Sequence, residues 1–105
     1  MSSNRIQLIE IMLDEHPDDV FLLYALAIEY KSLGQIEKSI FYLDKVLTVN
    51  KGYVAAYYQK GELLAIIGKV DEALSVLEKG RKLALNQEDQ KSAGEFFQLI
   101  LSLED

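Results

Sequence analysis

Two consecutive segments of the chain decide its fold: residues 20–53, VFLLYALAIEYKSLGQIEKSIFYLDKVLTVNKGY, and residues 54–87, VAAYYQKGELLAIIGKVDEALSVLEKGRKLALNQ. Each is 34 residues long, and apolar residues recur in both at intervals of three or four, the spacing of amphipathic helices. When the segments are aligned, small residues coincide at three positions: Gly34 with Gly68, Ala27 with Gly61, and Ser39 with Ala73. The sequence therefore contains an internal helical repeat.

Turn and capping residues mark the helix ends within this repeat. Gly34 and Gly68 follow the first apolar stretch of each segment, where a helix commonly ends on a residue with left-handed backbone geometry. Asp18 and Asp19 supply an N-cap and a negative charge at the start of the first segment. A mid-helix glycine such as Gly61 costs about 1 kcal/mol relative to alanine, so we expect a paired helix to pass close to it.

The period of 34, the small residue in mid-helix and the turn glycine together resemble the tetratricopeptide repeat. The family positions are filled in modified form: Leu26-Ala27 and Lys60-Gly61 for Leu-Gly, Tyr30 and Leu64 for Tyr, Ser39 and Ala73 for Ala, Leu43 and Leu77 for Phe, and Leu23 and Tyr57 in place of Trp. The resemblance implies an all-α fold, a right-handed superhelical stack of antiparallel helix pairs with about six helices.

The flanking segments are predicted to extend the same stack. Residues 4–15 form an N-terminal half-unit helix, which ends at His16-Pro17 because the residue before proline avoids helical geometry. Repeat 1 covers 20–53, repeat 2 covers 54–87, and 88–103 form a C-terminal capping helix. One domain then spans residues 1–105.

The last helix is placed by Asn86 as its cap and Asp89 as a first-turn acid. Gly94 and Phe97 would take the Gly and Tyr positions, 33 residues after Gly61 and Leu64. The connector before this helix would then be one residue shorter than in the preceding repeat.

Bulk composition restricts the classes of partner and location. The chain carries 17 acidic and 11 basic residues, a net charge of -6, which repels phosphate backbones and argues against nucleic acid. There is no cysteine, so disulfides and thiolate metal sites do not arise. No segment approaches the roughly 18 uninterrupted apolar residues of a membrane span, so we expect no membrane partner and a cytoplasmic location.

The resemblance implies that the first helix of each repeat lines a concave groove that receives a peptide or a partner helix. The groove residues are Phe21, Tyr24, Ile28 and, as a further candidate, Lys31 in repeat 1, and Tyr58, Gln59, Glu62 and Ile66 in repeat 2. An apolar surface with a few polar groups suits an amphipathic helix or an extended apolar segment. Alternatively, the aromatic and aliphatic groove residues pack on each other or under the terminal helix.

Some family members bind the terminal carboxylate of chaperones through a clamp of Lys, Asn and Arg. At the corresponding positions this chain has Tyr24, Ile28 and Gln59, which lack the amines that pair with carboxylate oxygens. The clamp is therefore predicted to be absent.

Wide apolar arcs on the first and last helices support a second hypothesis, a self-associating assembly protein that forms a homodimer. On the last helix the self-association residues would be Phe96, Phe97 and Ile100. The alternative is that each arc is covered by its one neighbouring helix.

Catalysis has little support in the sequence. His16 is the only histidine and lies at a helix end, and the paired carboxylates also lie at helix ends, where the helix dipole accounts for most of them. A small hydrolase or ligand carrier would need a metal or a buried acid for which the sequence offers no candidate. We therefore predict a non-catalytic protein-binding module without cofactor or metal, whose partner the sequence does not identify.

Overall fold

The computed structural model describes the backbone of residues 2–104 and the side chains of residues 4–104. Its six helices are α1 (Ser2–Glu15), α2 (Val20–Ser32), α3 (Ile36–Val49), α4 (Val54–Ile66), α5 (Val70–Asn86) and α6 (Gln90–Leu103). No strand occurs between residues 2 and 104. The prediction of an all-α helical repeat fold is confirmed.

The helices form two compact units. The first unit ends at Lys51 and contains α1, α2 and α3, and the second begins at Gly52 and contains α4, α5 and α6. In the repeat frame, α2 and α4 are first helices, which precede a glycine turn, and α3 and α5 are second helices, which follow it. The single domain expected over residues 1–105 stays a prediction.

The small residues shared by the two repeats lie where paired helices approach most closely. Ala27, Ser39, Gly61 and Ala73 are all buried. In the first unit the Ser39 hydroxyl donates a hydrogen bond of 2.7 Å to the Ala27 carbonyl oxygen, which ties α3 to α2. In the second unit a methyl group added to Gly61 would overlap the side chain of Leu77 on α5. Larger residues at these positions would force the paired helices apart.

The turns within both helix pairs have the same construction. Gly34 and Gly68 take the positive φ angles of +75° and +84° that favour glycine. Each turn is closed by a backbone hydrogen bond that reaches back into the preceding helix, from Gln35 to Tyr30 at 3.0 Å and from Lys69 to Leu64 at 2.9 Å. At the start of α2 the Asp19 carboxylate accepts a hydrogen bond from the Leu22 amide, as predicted for an N-cap.

The predicted start of the last helix is wrong. Asn86 is the final residue of α5, and α6 begins at Gln90 with Asp89 as its N-cap, accepting a 3.1 Å hydrogen bond from the Ser92 amide. The reason is a third turn of the same kind. The Asp89 amide bonds the Ala84 carbonyl at 2.8 Å, and Glu88 takes a positive φ of 59° without being glycine.

The predicted register of the last helix is wrong for the same reason. The N-cap residues of α4 and α6, Tyr53 and Asp89, are 36 positions apart, so the connection is longer and not shorter than expected. Gly94 is exposed, with nothing near enough to require glycine, and Phe97 is 49% exposed. The residues of α6 that enter the core are Ala93, Phe96 and Ile100, which cluster with Leu77 and Ala84.

No helix within residues 2–104 combines the length and the apolar character needed to cross a membrane.

Candidate functional site

In the first unit, α2 presents the three predicted groove residues along one stripe. Phe21 is 74% exposed, and Tyr24 and Ile28 are partly buried. The spacing of three and four residues places them one above another on the helix surface. The opposite side of α2 is buried, with Leu26 and Tyr30 packed against α1. This helix is therefore apolar on both sides, and the side that carries Phe21 is the more exposed of the two.

In the second unit, α4 presents Tyr58, Glu62 and Ile66 at intervals of four residues, with Gln59 beside Tyr58. Ile66 is 61% exposed, and the other three side chains are partly buried. Each unit thus keeps its predicted groove residues at least partly accessible. Whether they contact a partner stays a prediction.

The N-terminal halves of α4 and α6 enclose a cleft of about 360 Å³. Its lining residues are Val54, Ala55, Tyr58, Gln59, Asp89, Ser92, Glu95 and Phe96. The Tyr58 ring meets the buried Phe96 ring edge to face, with ring centroids 5.4 Å apart. This aromatic pair fixes Tyr58 on a rigid support and gives the cleft an apolar floor.

The electrostatic character of this cleft is negative. Partial burial, followed by the nearby carboxylates of Glu62 and Glu95, raises the pKa of the Tyr58 phenol above its usual value. The Tyr58 hydroxyl therefore keeps its proton at neutral pH. Hydrogen bonds from Ser92, with a smaller contribution from Lys91, lower the pKa of the Asp89 carboxyl and keep it charged. A chemical group that enters the cleft meets aromatic rings below and carboxylates at the rim.

Sequence reasoning missed the contribution of α6 to this cleft. Asp89, Ser92 and Glu95 line it, and none of them was a predicted site residue. Identifying Asp89 as the N-cap of α6 would have located these residues, because the first residue of a helix sets the register of all that follow. Matching Gly94 to Gly61 placed that register wrongly and so concealed them.

A second cleft, of about 430 Å³, lies within the first unit. It is lined by Glu10, Leu13, Asp14, Pro17, Leu23, Leu26, Tyr42 and Lys45. Its floor belongs to α2, but none of the predicted groove residues takes part. Acidic and basic side chains are both present, so the cleft has no single charge preference.

The residues proposed for self-association on α6 do not share one surface. Phe96 and Ile100 are buried in the core of the second unit, so they are not available to another molecule. Only Phe97 of the three is exposed, and Leu101, one turn further along, is exposed beside it. The apolar surface of α6 is thus formed by Phe97 and Leu101, because the helix turns Phe96 and Ile100 toward α5.

His16 is exposed and follows the last residue of α1. Within residues 4–104 no three His, Asp or Glu side chains are grouped in a way that could hold a metal ion.

Comparison with known protein families shows to which family the chain belongs. A sequence model described as tetratricopeptide repeat matches residues 22–53 and 54–84, which coincide with the two aligned segments. The chain belongs to the tetratricopeptide repeat family. The predicted resemblance is therefore confirmed, and it covers nearly all of both helix pairs.

One curated relative is the mouse protein DnaJ homolog subfamily C member 3, which is 30% identical over 80 residues. The match covers 76% of this tetratricopeptide repeat chain but only 16% of the relative. The chain thus spans about one sixth of the length of the curated relatives it matches.

Two solved structures have the same fold over nearly the whole chain. The TPR2B domain of yeast Sti1, in a complex with pHsp70, superposes with a TM-score of 0.90 at 20% identity, covering 98% of this chain and 82% of that domain. PcrH, in complex with the chaperone binding region of PopD, gives a TM-score of 0.91 at 15% identity, covering 98% and 78%. At such identities the likeness shows the fold alone.

Proposed function

We propose that this tetratricopeptide repeat chain is a non-catalytic protein interaction module that binds a peptide or a partner helix with the accessible sides of α2 and α4. The contact residues are Phe21, Tyr24 and Ile28 in the first unit and Tyr58, Gln59, Glu62 and Ile66 in the second. The observation that carries the proposal is the exposure of Phe21 and Ile66, large apolar side chains on helices that also bury a full face. Exposed apolar stripes of this kind are typical of interaction surfaces.

Solved proteins with this fold support the proposal in general terms. Yeast Sti1 is bound to pHsp70 through its TPR2B domain, and PcrH is bound to the chaperone binding region of PopD. The fold is therefore able to hold segments of other proteins. The assignment to particular residues of this chain rests on its own exposed side chains.

The chemistry of the cleft in the second unit favours a partner with both apolar and basic side chains. An apolar side chain fits the floor made by Tyr58 and Phe96, and a lysine or arginine beside it would meet Glu95 at the rim. An acidic tail would be repelled by the same carboxylates. The absence of a cationic clamp at Tyr24, Ile28 and Gln59 agrees with this preference.

Selection of peptides from a random library tests the proposal with ligands that the protein itself chooses. Phage-displayed peptides are selected against the full chain, and their dissociation constants are then measured by fluorescence anisotropy. We expect Tyr58→Ala or Phe21→Ala to weaken binding by roughly 30-fold, which corresponds to the loss of about 2 kcal/mol at an aromatic hot spot.

The matched control is Phe41→Ala. Phe41 is an exposed phenylalanine like Phe21 but lies on the second helix α3. It should leave the affinity unchanged, and circular dichroism should show the same helix content in all variants. If peptides bind Tyr58→Ala and Phe21→Ala as tightly as the parent chain, the assignment to α2 and α4 is incorrect.

A further inference from the structure

The cleft of about 430 Å³ in the first unit is separate from the proposed peptide-binding surface. Residues of α1 and α3 form its walls, and α2 contributes Leu23 and Leu26 to its floor. Phe21, Tyr24 and Ile28, the proposed contact residues of α2, do not line it. A binding site in this cleft would therefore act independently of the proposed function.

The interior of this cleft is apolar. Leu23 and Leu26 are almost fully buried, with 4% and 1% of their surface exposed, so they close the floor. Leu13 on α1 and Tyr42 on α3 are partly buried and remain accessible from the opening. The volume lies in the range of roughly 300–1,000 Å³ that is usual for ligand sites. An apolar side chain that enters the cleft would be favoured by the apolar surface it removes from water.

The aromatic wall of the cleft is held in place by its neighbours. The Tyr42 ring stacks on the buried Tyr30 ring, with centroids 5.7 Å apart and an angle of 9° between the planes. It also meets the Phe41 ring edge to face, at a centroid distance of 5.1 Å. Contacts with two rings fix the orientation of Tyr42, so this wall is formed before a ligand arrives.

The two walls of the cleft carry opposite charges. α1 contributes Glu10 and Asp14, which are one helical turn apart and both exposed. α3 contributes Lys45, which is also exposed. The Lys45 ammonium lies 5.1 Å from the centroid of the Phe41 ring, and this cation–π contact holds it close to α3. The cleft is therefore acidic along α1 and basic along α3.

We propose that this cleft binds an amphipathic helix of a partner protein, with basic residues on one edge of its apolar stripe and acidic residues on the other. Apolar side chains of the stripe would enter between Leu13 and Tyr42. The basic edge would lie along Glu10 and Asp14, and the acidic edge would lie beside Lys45.

The arrangement of the wall residues favours a helical partner over an extended one. Glu10 and Asp14 are four residues apart, so the acidic wall repeats with the pitch of a helix, roughly 5.4 Å. A partner helix presents basic side chains at the same interval, because its own residues four apart are also one turn apart. A strand directs its side chains to two opposite faces, so it does not place charges on both edges of one apolar row.

The separated charges would also set the direction of the bound helix. Turning the helix end for end exchanges its edges, which brings basic residues to Lys45 and acidic residues to Glu10 and Asp14. Such like-charge contacts are unfavourable, whereas exposed ion pairs add little affinity. The charges would therefore select the partner and its direction, while the apolar stripe provides most of the affinity.

Three synthetic helical peptides test the proposal. They are hydrocarbon-stapled, labelled with fluorescein and share one leucine stripe. The first has lysines on one edge and glutamates on the other, the second has lysines on both edges, and the third has glutamates on both. Fluorescence anisotropy with the full chain measures their dissociation constants at an ionic strength of about 0.15 M, which screens the net charge of the chain. The mixed peptide should bind roughly 3- to 10-fold more tightly than either other peptide, because each of those replaces an ion pair with a like-charge contact.

Charge reversal in the cleft should change this order. Lys45→Glu makes both walls acidic, so the peptide with lysines on both edges should become the tightest ligand. Glu10→Lys combined with Asp14→Lys makes both walls basic, so the peptide with glutamates on both edges should become the tightest. All three residues are exposed, and circular dichroism should show unchanged helix content. The same order of affinities in the parent chain and in both variants would overturn the proposal, as would a parent chain that binds none of the peptides.

The matched control is Lys79→Glu. Lys79 is an exposed lysine like Lys45 but lies on α5 in the second unit. It should leave the order of affinities as in the parent chain. Phe21→Ala and Tyr58→Ala, which test the proposed function, should also leave binding of the mixed peptide unchanged. If either weakens it, the peptide binds the other surface and the assignment to this cleft is wrong, whereas the proposed function is not affected.

Discussion

Gly80 shows at the scale of one residue why the second unit requires glycine inside a helix. A methyl group at this position would lie 2.5 Å from the Phe96 ring and 2.7 Å from Cβ of Tyr57. Phe96 is buried, and Cβ of Tyr57 is fixed to the backbone of α4, so neither neighbour has room to move. The absence of a side chain at Gly80 is therefore what allows α4, α5 and α6 to pack together.

We predict opposite effects for two glycine-to-alanine substitutions. Gly80→Ala should lower the free energy of unfolding by about 1–3 kcal/mol, as expected for overpacking of a filled core. Gly94→Ala should raise it by roughly 0.5–1 kcal/mol through helix propensity alone, because Gly94 is exposed and its added methyl meets nothing within 4 Å. Urea titration followed by circular dichroism measures both. Equal effects of the two substitutions would contradict the packing argument.

At this scale the sequence predicted the close contacts well. The alignment of the two 34-residue segments located four small residues, and all four are buried as expected: Ala27, Gly61, Ser39 and Ala73. Such positions are visible in a sequence because only small side chains fit them. A glycine at the expected spacing does not by itself show a close contact. Gly94 has that spacing, yet no atom lies within 4 Å of a methyl group added there.

The connection between α5 and α6 is an element built like the turns inside the repeats. Gly34, Gly68 and Glu88 all take positive φ angles and all follow the C-cap residue of a helix. Only the third position is not glycine. A residue with a Cβ atom pays a steric cost in this conformation, so Glu88 is a strained point in the chain.

We predict that Glu88→Gly stabilises the protein. Relief of the left-handed strain, about 1–2 kcal/mol, is partly offset by the greater freedom of glycine in the unfolded chain. The melting temperature should therefore rise. Glu88→Ala is the control, because it removes the carboxylate and retains the strain. Thermal unfolding followed by circular dichroism distinguishes them, and an equal rise for both would show that charge and not strain decides the effect.

The start of α6 was predicted wrongly because of the connection that precedes it. Asn86 is a good capping residue, and no glycine marks the turn that follows it, so a helix start soon after Asn86 is the simplest interpretation of the sequence. In the structure Ala84 is fully buried, and the end of α5 is held in helical form by packing that the local sequence does not reveal. Tertiary contacts overrode the local signal here.

At the scale of the whole molecule, the second unit carries its own core. Leu77, Ala84, Ala93, Phe96 and Ile100 form one cluster, all contributed by α5 and α6, and residues of α4 pack against it. The Gln87 side-chain amide also donates a 2.9 Å hydrogen bond to the Gly52 carbonyl oxygen. This bond joins the end of α5 to the segment just before α4.

We predict that residues 52–105 fold without the remainder of the chain. A fragment of this size is near the lower limit for independent folding, so it should be helical at low temperature but melt below the intact chain. Circular dichroism and dispersion of amide resonances measure this. The variant Phe96→Ala should abolish the helical signal of the fragment, and a fragment that is disordered without any substitution would contradict the prediction.

The sequence predicted the six helices and identified α2 and α4 as the first helices of the two repeats. It left open which aromatic side chains face a partner. Tyr58 and Phe96 illustrate the difficulty, because each stands next to a second aromatic residue in its own helix, Tyr57 and Phe97, and either member of such a pair can be core or surface. The structure gives them different positions, with Phe96 buried and Tyr58 above it in the cleft. Pattern alone does not separate these roles, since both helices are apolar on more than one side.

Phe96 also limits how the recognition properties of this scaffold can be changed. Its ring supports Tyr58 on one side and lies against Gly80 on the other, so a substitution there would alter ligand preference and folding at once. Redesign toward a new ligand should instead begin at Ala55 and Ser92, which line the same cleft without filling the interior.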